Sequence, residues 1–217
     1  LMRAMASANM GSSDPAGMTF TDLGDASWAI SDIRTAYDLG IINGMSAEIF
    51  APNDNVTYEQ ALKMIVCALG YDQASAEYMA NMPDTAPWYT GYMYYANELN
   101  LTSGISVAYE QPAKRWEIAR MIYNALEVQM VDKYESNGTM VYQISTKTLL
   151  YDKLGITKSR GEVRADEANT MDPDGAVART GYALIYDNTS KTNETVEKNG
   201  IDLSRLLGKT VDYYYKV

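Results

Sequence analysis

An α+β chain is predicted, with an all-α N-terminal pair of helix–loop–helix repeats and a small antiparallel β domain at the C-terminus. Three observations carry this. First, one stretch is written twice. Trp28, Leu39, Gly40-Ile41-Ile42-Asn43-Gly44 and the run 61–69 recur as Trp88, Leu99, Asn100-Leu101-Thr102-Ser103-Gly104 and the run 118–126, with 16 residues from Trp to closing Gly in both copies. Second, residues 1–135 hold 7 Lys+Arg against 17 Asp+Glu, whereas 136–217 hold 11 of each. Third, β-branched and aromatic segments separated by turn residues take over beyond Gly138. A duplicated unit this short cannot bury its own apolar face, so the copies must pack on one another or on other modules.

Residues 1–19 read as a flexible lead-in, since Asn9, Gly11, Ser12, Ser13, Asp14, Pro15 and Gly17 are small and polar. The first eight residues are small and apolar like the tail of a secretion signal, with a vector remnant or a frayed terminus as the plainer alternative. The first repeat is expected over 20–72. Ala29, Ile33, Ala36 and Tyr37 follow helical spacing up to Gly40, which suits the left-handed residue that ends a helix. Copy two has Asn100 there, the next best residue for that backbone. A second helix follows in each copy. Thr57 with Gln60 three residues on is a capping-box pattern, and Ala61, Ile65, Ala68 and Leu69 form the apolar face. The second repeat is expected over 73–135, with Pro112 at or just before its second helix and Ile118, Ile122, Ala125 and Leu126 on the face. With Glu127 where copy one has Gly70, that helix should run on past Val131. A domain boundary is expected near Ser136-Asn137-Gly138, and a β-rich domain over 136–217. Its strands are expected at 139–144, 162–165, 182–186 and 210–217, and its short helices at 149–154 and 203–207.

Composition excludes several classes of function. A net charge of −10 argues against a nucleic-acid groove or an anionic membrane surface as partner. No apolar run is long enough for membrane insertion as a spanning helix. Histidine is absent and Cys67 is alone, which removes His-dependent triads, His-ligated zinc and an intrachain disulfide. Gly-rich phosphate loops are absent and no cofactor motif stands out. Asp172-Pro173-Asp174-Gly175 and Asn53-Asp54-Asn55 lack the spacing of a twelve-residue calcium loop and read as turns. The chain reads as non-enzymatic.

The motifs Phe20-Thr21-Asp22, Trp28-Ala29, Gly40-Ile41-Ile42-Asn43-Gly44, Phe50-Ala51-Pro52 and Thr57-Tyr58-Glu59-Gln60 resemble the S-layer homology (SLH) repeat. That family's pattern reads Phe-x-Asp, Trp-Ala, Gly-Ile-x-x-Gly, Phe-x-Pro and Thr-Arg-x-Glu, and the likeness covers about 20–130. The tail is similar to β domains that follow such repeats in clostridial cell-surface proteins. The resemblance implies helix–loop–helix prongs, usually three in a spindle, on a secreted protein held at the cell wall of a Gram-positive bacterium. Such prongs bind secondary cell-wall polysaccharide, often through a pyruvylated sugar. The family's binding arginine lies in its Thr-Arg-x-Glu motif. Only two repeats are visible, so self-association or a third repeat from another chain would complete the spindle. The rival reading is an assembly module of a surface layer, in which degenerate repeats pack on other proteins.

Copy two keeps the motif's charge as Lys114-Arg115-Trp116-Glu117, with Lys for Thr. Copy one keeps Thr57 but has Tyr58 in the arginine's place, and a phenol cannot hold a carboxylate in a two-bond fork. Arg115 is therefore the first candidate for ligand contact, in a first helical turn where backbone N–H groups also favour an anion. Its plainer alternative is an ion pair with Asp84 or Asp22. Lys114 adds a second charge, and Trp116 is free to wall a groove. Trp28 and Trp88 could stack on sugar rings, although Trp at a fixed repeat position is more often core. Gly44 and Gly104 are expected to shape the groove loops through their backbones. With Glu117, Tyr58 and Thr57 these make up the candidate glycan-binding set.

Overall fold

The computed structural model describes residues 18–216, so the expected lead-in lies outside the described residues except for its last two. The chain divides into two compact units, one running to Leu154 and the other starting at Gly155. In the first, a 3-10 segment (Gly24–Ala29) leads into α1 (Ile30–Asp38). Then come α2 (Tyr58–Ala68), α3 (Asp72–Ala80), α4 (Thr90–Glu98) and α5 (Arg115–Ala125), a hairpin of β1 (Gln129–Ser136) and β2 (Thr139–Thr148), and α6 (Leu149–Leu154).

Local chemistry explains the helix ends. Gly40 and Asn100 both adopt positive φ, +68° and +55°, so the two copies end their first helices with the same backbone. At the start of α2 the capping box is complete. The Gln60 N–H donates to the Thr57 hydroxyl at 3.4 Å, and the Thr57 N–H donates to the Gln60 side chain at 2.9 Å. Copy two makes only half of it, because Lys114 has no acceptor to offer. Its N–H still donates to the Glu117 carboxylate at 3.1 Å.

The two copies share one core. Leu62, Val66 and Leu69 from α2 and its end are fully buried with Leu101, Met121 and Ala125 of copy two, and Met93 and Ala96 of α4 fill the space between. Leu149 joins them from α6. A smaller cluster of Ala36, Ile41, Cys67 and Ala68 ties α1 to α2. Burial pushes the Cys67 thiol up to about 11, so this cysteine packs rather than reacts.

Two expectations about the end of this unit are corrected. The second helix of copy two stops at Ala125 instead of running past Val131. The residues beyond it form β1, which pairs antiparallel with β2 from Ser136↔Thr139 to Gln129↔Thr148. Asn137 and Gly138, at φ +52° and +77°, are the two-residue turn of that hairpin and not a domain boundary. The hairpin belongs with the helices: the Val131 N–H donates to the Leu69 carbonyl at 2.8 Å, and Met130 and Val131 pack on the shared core. The compact units therefore part 19 residues later than composition suggests.

The second unit is a four-stranded antiparallel sheet in the order β5-β4-β3-β6, made of β3 (Ile156–Ala165), β4 (Tyr182–Asp187), β5 (Asn193–Glu197) and β6 (Thr210–Lys216). Three strands follow one another, and the last returns to the free side of β3. Val163, Ala165, Ala183 and Ile185 make its buried face. A short 3-10 turn, Ser204–Leu206, precedes β6. The Asp172–Gly175 segment closes as a turn, with the Gly175 N–H donating to the Asp172 carbonyl at 2.9 Å.

Leu62 lies without solvent access in the core that both copies share. Leu62→Ala is expected to cost about 2–5 kcal/mol in denaturant unfolding. A loss below about 1 kcal/mol would mean that the copies do not share a tight core.

Candidate functional site

The site begins where the second helices of the two copies start. Thr57 and Pro112 face each other in an antiparallel bridge. The Ala113 N–H donates to the Val56 carbonyl at 2.9 Å, and the Tyr58 N–H donates to the Gln111 carbonyl at 3.3 Å. This short ladder sets the N-termini of α2 and α5 side by side. Beneath it, the Tyr58 hydroxyl donates to the Glu117 carboxylate, which also takes the Lys114 N–H. Tyr58 is 3% exposed and Glu117 4%. The phenol, working against burial, holds the Glu117 carboxyl below its ordinary range, with help from the Lys114 N–H. The same bond, with burial, pushes the Tyr58 phenol up. Glu59, also buried, takes the Glu110 N–H of the other copy.

Two members of the candidate set therefore face inward. Tyr58 and Glu117 are joined to each other across the repeats and present nothing to a ligand. Reading Tyr58 only as a lost arginine misses this pairing. The clue lay in comparing the copies, where the phenol of one stands against the retained acid of the other.

The neighbours of Glu117 are exposed. Lys114 and Arg115 lie at the N-terminal end of α5, and Arg115 makes no ion pair among the described residues. Neither proposed structural partner takes it. Asp22 accepts instead from the N–H groups of Phe50 and Ala51, at 3.0 and 2.7 Å, and these bonds hold its carboxyl below the ordinary value. Trp116 is 57% exposed. The core reading of the repeat tryptophans is overturned: Trp28 is 80% exposed and Trp88 54%. Leu, Met and Val from α2, α4 and α5 already fill the shared core. Trp88 rests edge-on against Tyr89, with ring centroids 5.5 Å apart.

A groove lies in copy one. It encloses about 360 Å³ between the loop after α1 and the first turns of α2. Gly44 and Thr57 line it with Asn43, Gln60, Lys63 and Asp54. Gly44 sits at φ +76°, and a Cβ there would run into the Phe20 ring and come within 2.9 Å of the Ile49 carbonyl oxygen. Lys63 is half-buried and supplies the groove's positive charge. Aligning the runs 61–69 and 118–126 puts Lys63 opposite Arg120, a correspondence the sequence reading left unused. Arg120 lies along the closing-Gly loop of copy two. Its Nε would be 3.4 Å from a Cβ on Gly104 and donates to the Ser103 carbonyl at 3.3 Å. Each repeat thus brings a cation of its second helix to its glycine loop.

Residues 19–62 match the family model for the S-layer homology domain. The chain is 28% identical over 195 residues to a cell surface protein of Thermoanaerobacter kivui, covering 90% of this chain and 22% of that protein. It is 29% identical over 199 residues to the middle cell wall protein of Brevibacillus brevis, with 92% and 17% covered. It is 28% identical over 195 residues to a surface layer protein of Brevibacillus choshinensis, with 90% and 16% covered. The chain thus spans at most 22% of the length of these relatives. No solved structure matches it.

The Tyr58–Glu117 bond makes stability depend on pH at both ends. Because the Glu117 pKa is lowered on folding, its contribution is present above the unfolded carboxyl value, about 4.3, and is lost as pH falls below it. Because the Tyr58 pKa is raised, its contribution is present below about pH 10 and is lost as pH rises further. Thermal melts across pH should show Tyr58→Phe closing its gap from the wild type at both extremes. A gap independent of pH would remove the bond's assigned role.

Proposed function

We propose that the paired repeats attach a cell-surface protein to the bacterial wall by binding an anionic, pyruvylated secondary cell-wall polysaccharide, a reading supported by the match of residues 19–62 to the S-layer homology domain and by the likeness to cell-surface and surface-layer proteins. The observation that carries this is the copy-one groove, where a glycine-shaped loop, amide side chains and one lysine meet in about 360 Å³. Its mixed lining suits a sugar ring, and Lys63 suits a carboxylate on it. Arg115 and Lys114 offer a second cationic point at the start of α5, where backbone N–H groups add to the attraction. Trp116, exposed beside them, gives a flat apolar face for a ring. In a half that carries 17 acids against 7 bases, these are local exceptions to the charge. The reading is non-catalytic, since binding alone uses every group named.

A second reading rests on copy one's outer surface. Trp28, Ile30 and Leu39 are all exposed there, and such side chains suit contact with another protein. A third repeat from another chain, or a second copy of this one, would cover them. Light scattering that shows only monomer over a wide concentration range would count against self-association.

The test is binding to purified wall polysaccharide with and without its pyruvate groups. Lys63→Ala and Arg115→Ala are each expected to weaken binding of the pyruvylated form by about tenfold while helix content stays unchanged. Equal binding of both polymer forms, or wild-type binding by the double variant, would contradict the proposal.

A further inference from the structure

The second unit holds a larger opening than the groove of the repeats. About 670 Å³ lies against the four-stranded sheet, lined by Thr157, Ser159, Tyr213 and Tyr215 at one end and by Glu194 to Glu197 along β5, on a face whose other end is apolar between them. Val163, Ala165, Ala183 and Ile185 are 0–3% exposed at that other end. At the open end the strand register replaces them with hydroxyls, phenols and carboxylates. Thr157 stands opposite Tyr215 and Ser159 opposite Tyr213, on adjacent strands β3 and β6. Asp187 closes the row from β4, where it pairs with Gly161. A sheet face that turns from apolar to polar within one unit is not built to be covered by hydrophobic packing at its polar end.

The floor of this cleft is rigid. The Tyr213 hydroxyl donates to Asp187 at 2.5 Å, and Ser159 donates to the same carboxylate oxygen. The other oxygen takes the N–H groups of Thr189 and Ser190 at 2.7 and 2.8 Å. Asp187 is 4% exposed, and its full set of donors means that it positions its neighbours instead of seeking a ligand. Tyr213 is held with its ring stacked on Tyr215, centroids 5.8 Å apart and planes 26° from parallel. Tyr215 itself is 40% exposed and lines the opening. The fixed ring below therefore orients the accessible ring above.

We propose that this cleft binds a neutral, hydroxyl-rich ligand, an oligosaccharide, with one sugar ring laid on Tyr215. The chemistry of the lining selects that class. An aromatic face takes the C–H side of a pyranose, and the hydroxyls beside it take its O–H donors. Asp187, Glu194 and Glu197 outnumber Lys158 and Lys216 in the lining, which disfavours phosphate or nucleotide ligands. A purely apolar ligand would leave the free lone pairs of the hydroxyl row without water or donor. The site uses none of the groups assigned to the repeats, so it stands or falls separately from the anionic-glycan reading.

The test is ligand-observed saturation-transfer NMR on the full chain with three uncharged trisaccharides: chitotriose, cellotriose and maltotriose. At least one is expected to receive saturation from the wild-type protein. Tyr215→Ala should weaken that binding by about tenfold or more, and Tyr215→Phe should keep it. Lys63→Ala with Arg115→Ala should leave it unchanged. Tyr215 is exposed on an edge strand, so the variants are expected to fold, with circular dichroism as the check. No transfer to any of the three sugars would overturn the proposal, as would equal binding by Tyr215→Ala.

Discussion

The arrangement of the repeats depends on one buried carboxylate. Glu117, at 4% exposure, must find donors or lose its charge. It takes one from its own helix start, the Lys114 N–H, and one from the other repeat, the Tyr58 phenol. The backbone ladder around Thr57 and Pro112 brings these groups into reach. With Glu117 fixed inward, the residues just before it, Lys114, Arg115 and Trp116, are left on the surface at the start of α5. The exposed positive site and the buried junction are thus two faces of one helix start.

This accounts for how the copies have diverged. In copy one the motif's arginine position is spent on Tyr58, which serves the junction. The groove nevertheless keeps a cation, because Lys63 lines it from the next turn. In copy two the arginine position stays charged, and Arg120 lies along the loop of Gly104. The two repeats have the same backbone with different chemistry on it, one giving an enclosed groove and the other an open cationic helix start.

Much of the fold was legible in the sequence because it rests on local chemistry. The helix-ending Gly40 and Asn100, the Thr57 capping box, α6 at Leu149–Leu154 and three of the four sheet strands follow from residue types and spacing. β5 went unread because Asn193–Glu197 is mostly exposed and has no apolar alternation. The hairpin was misread for another reason. Asn137-Gly138 looks alike as a linker and as a tight turn, and only β1 docking on the end of α2 decides between them. At the site, Gly44, Thr57 and Arg115 were named from their position in the repeat, and Trp116 because copy one has no counterpart for it. The inward turn of Tyr58 and Glu117 was hidden because it is a contact between copies. Lys63 could have been found by aligning the second helices, and the exposure of Trp28 could not, because it depends on which side chains have already filled the core.

The account turns on Tyr58 and Glu117 acting as a pair, and a double-mutant cycle in denaturant unfolding measures that directly. Tyr58→Phe, Glu117→Gln and the double variant would be compared with the wild type at neutral pH. The account predicts that the double variant loses clearly less stability than the two single losses combined, since Tyr58→Phe removes the shared bond and Glu117→Gln removes the charge that strengthens it. Losses that simply add would contradict it, and the two repeats would then be joined by their apolar core and backbone ladder without help from this pair.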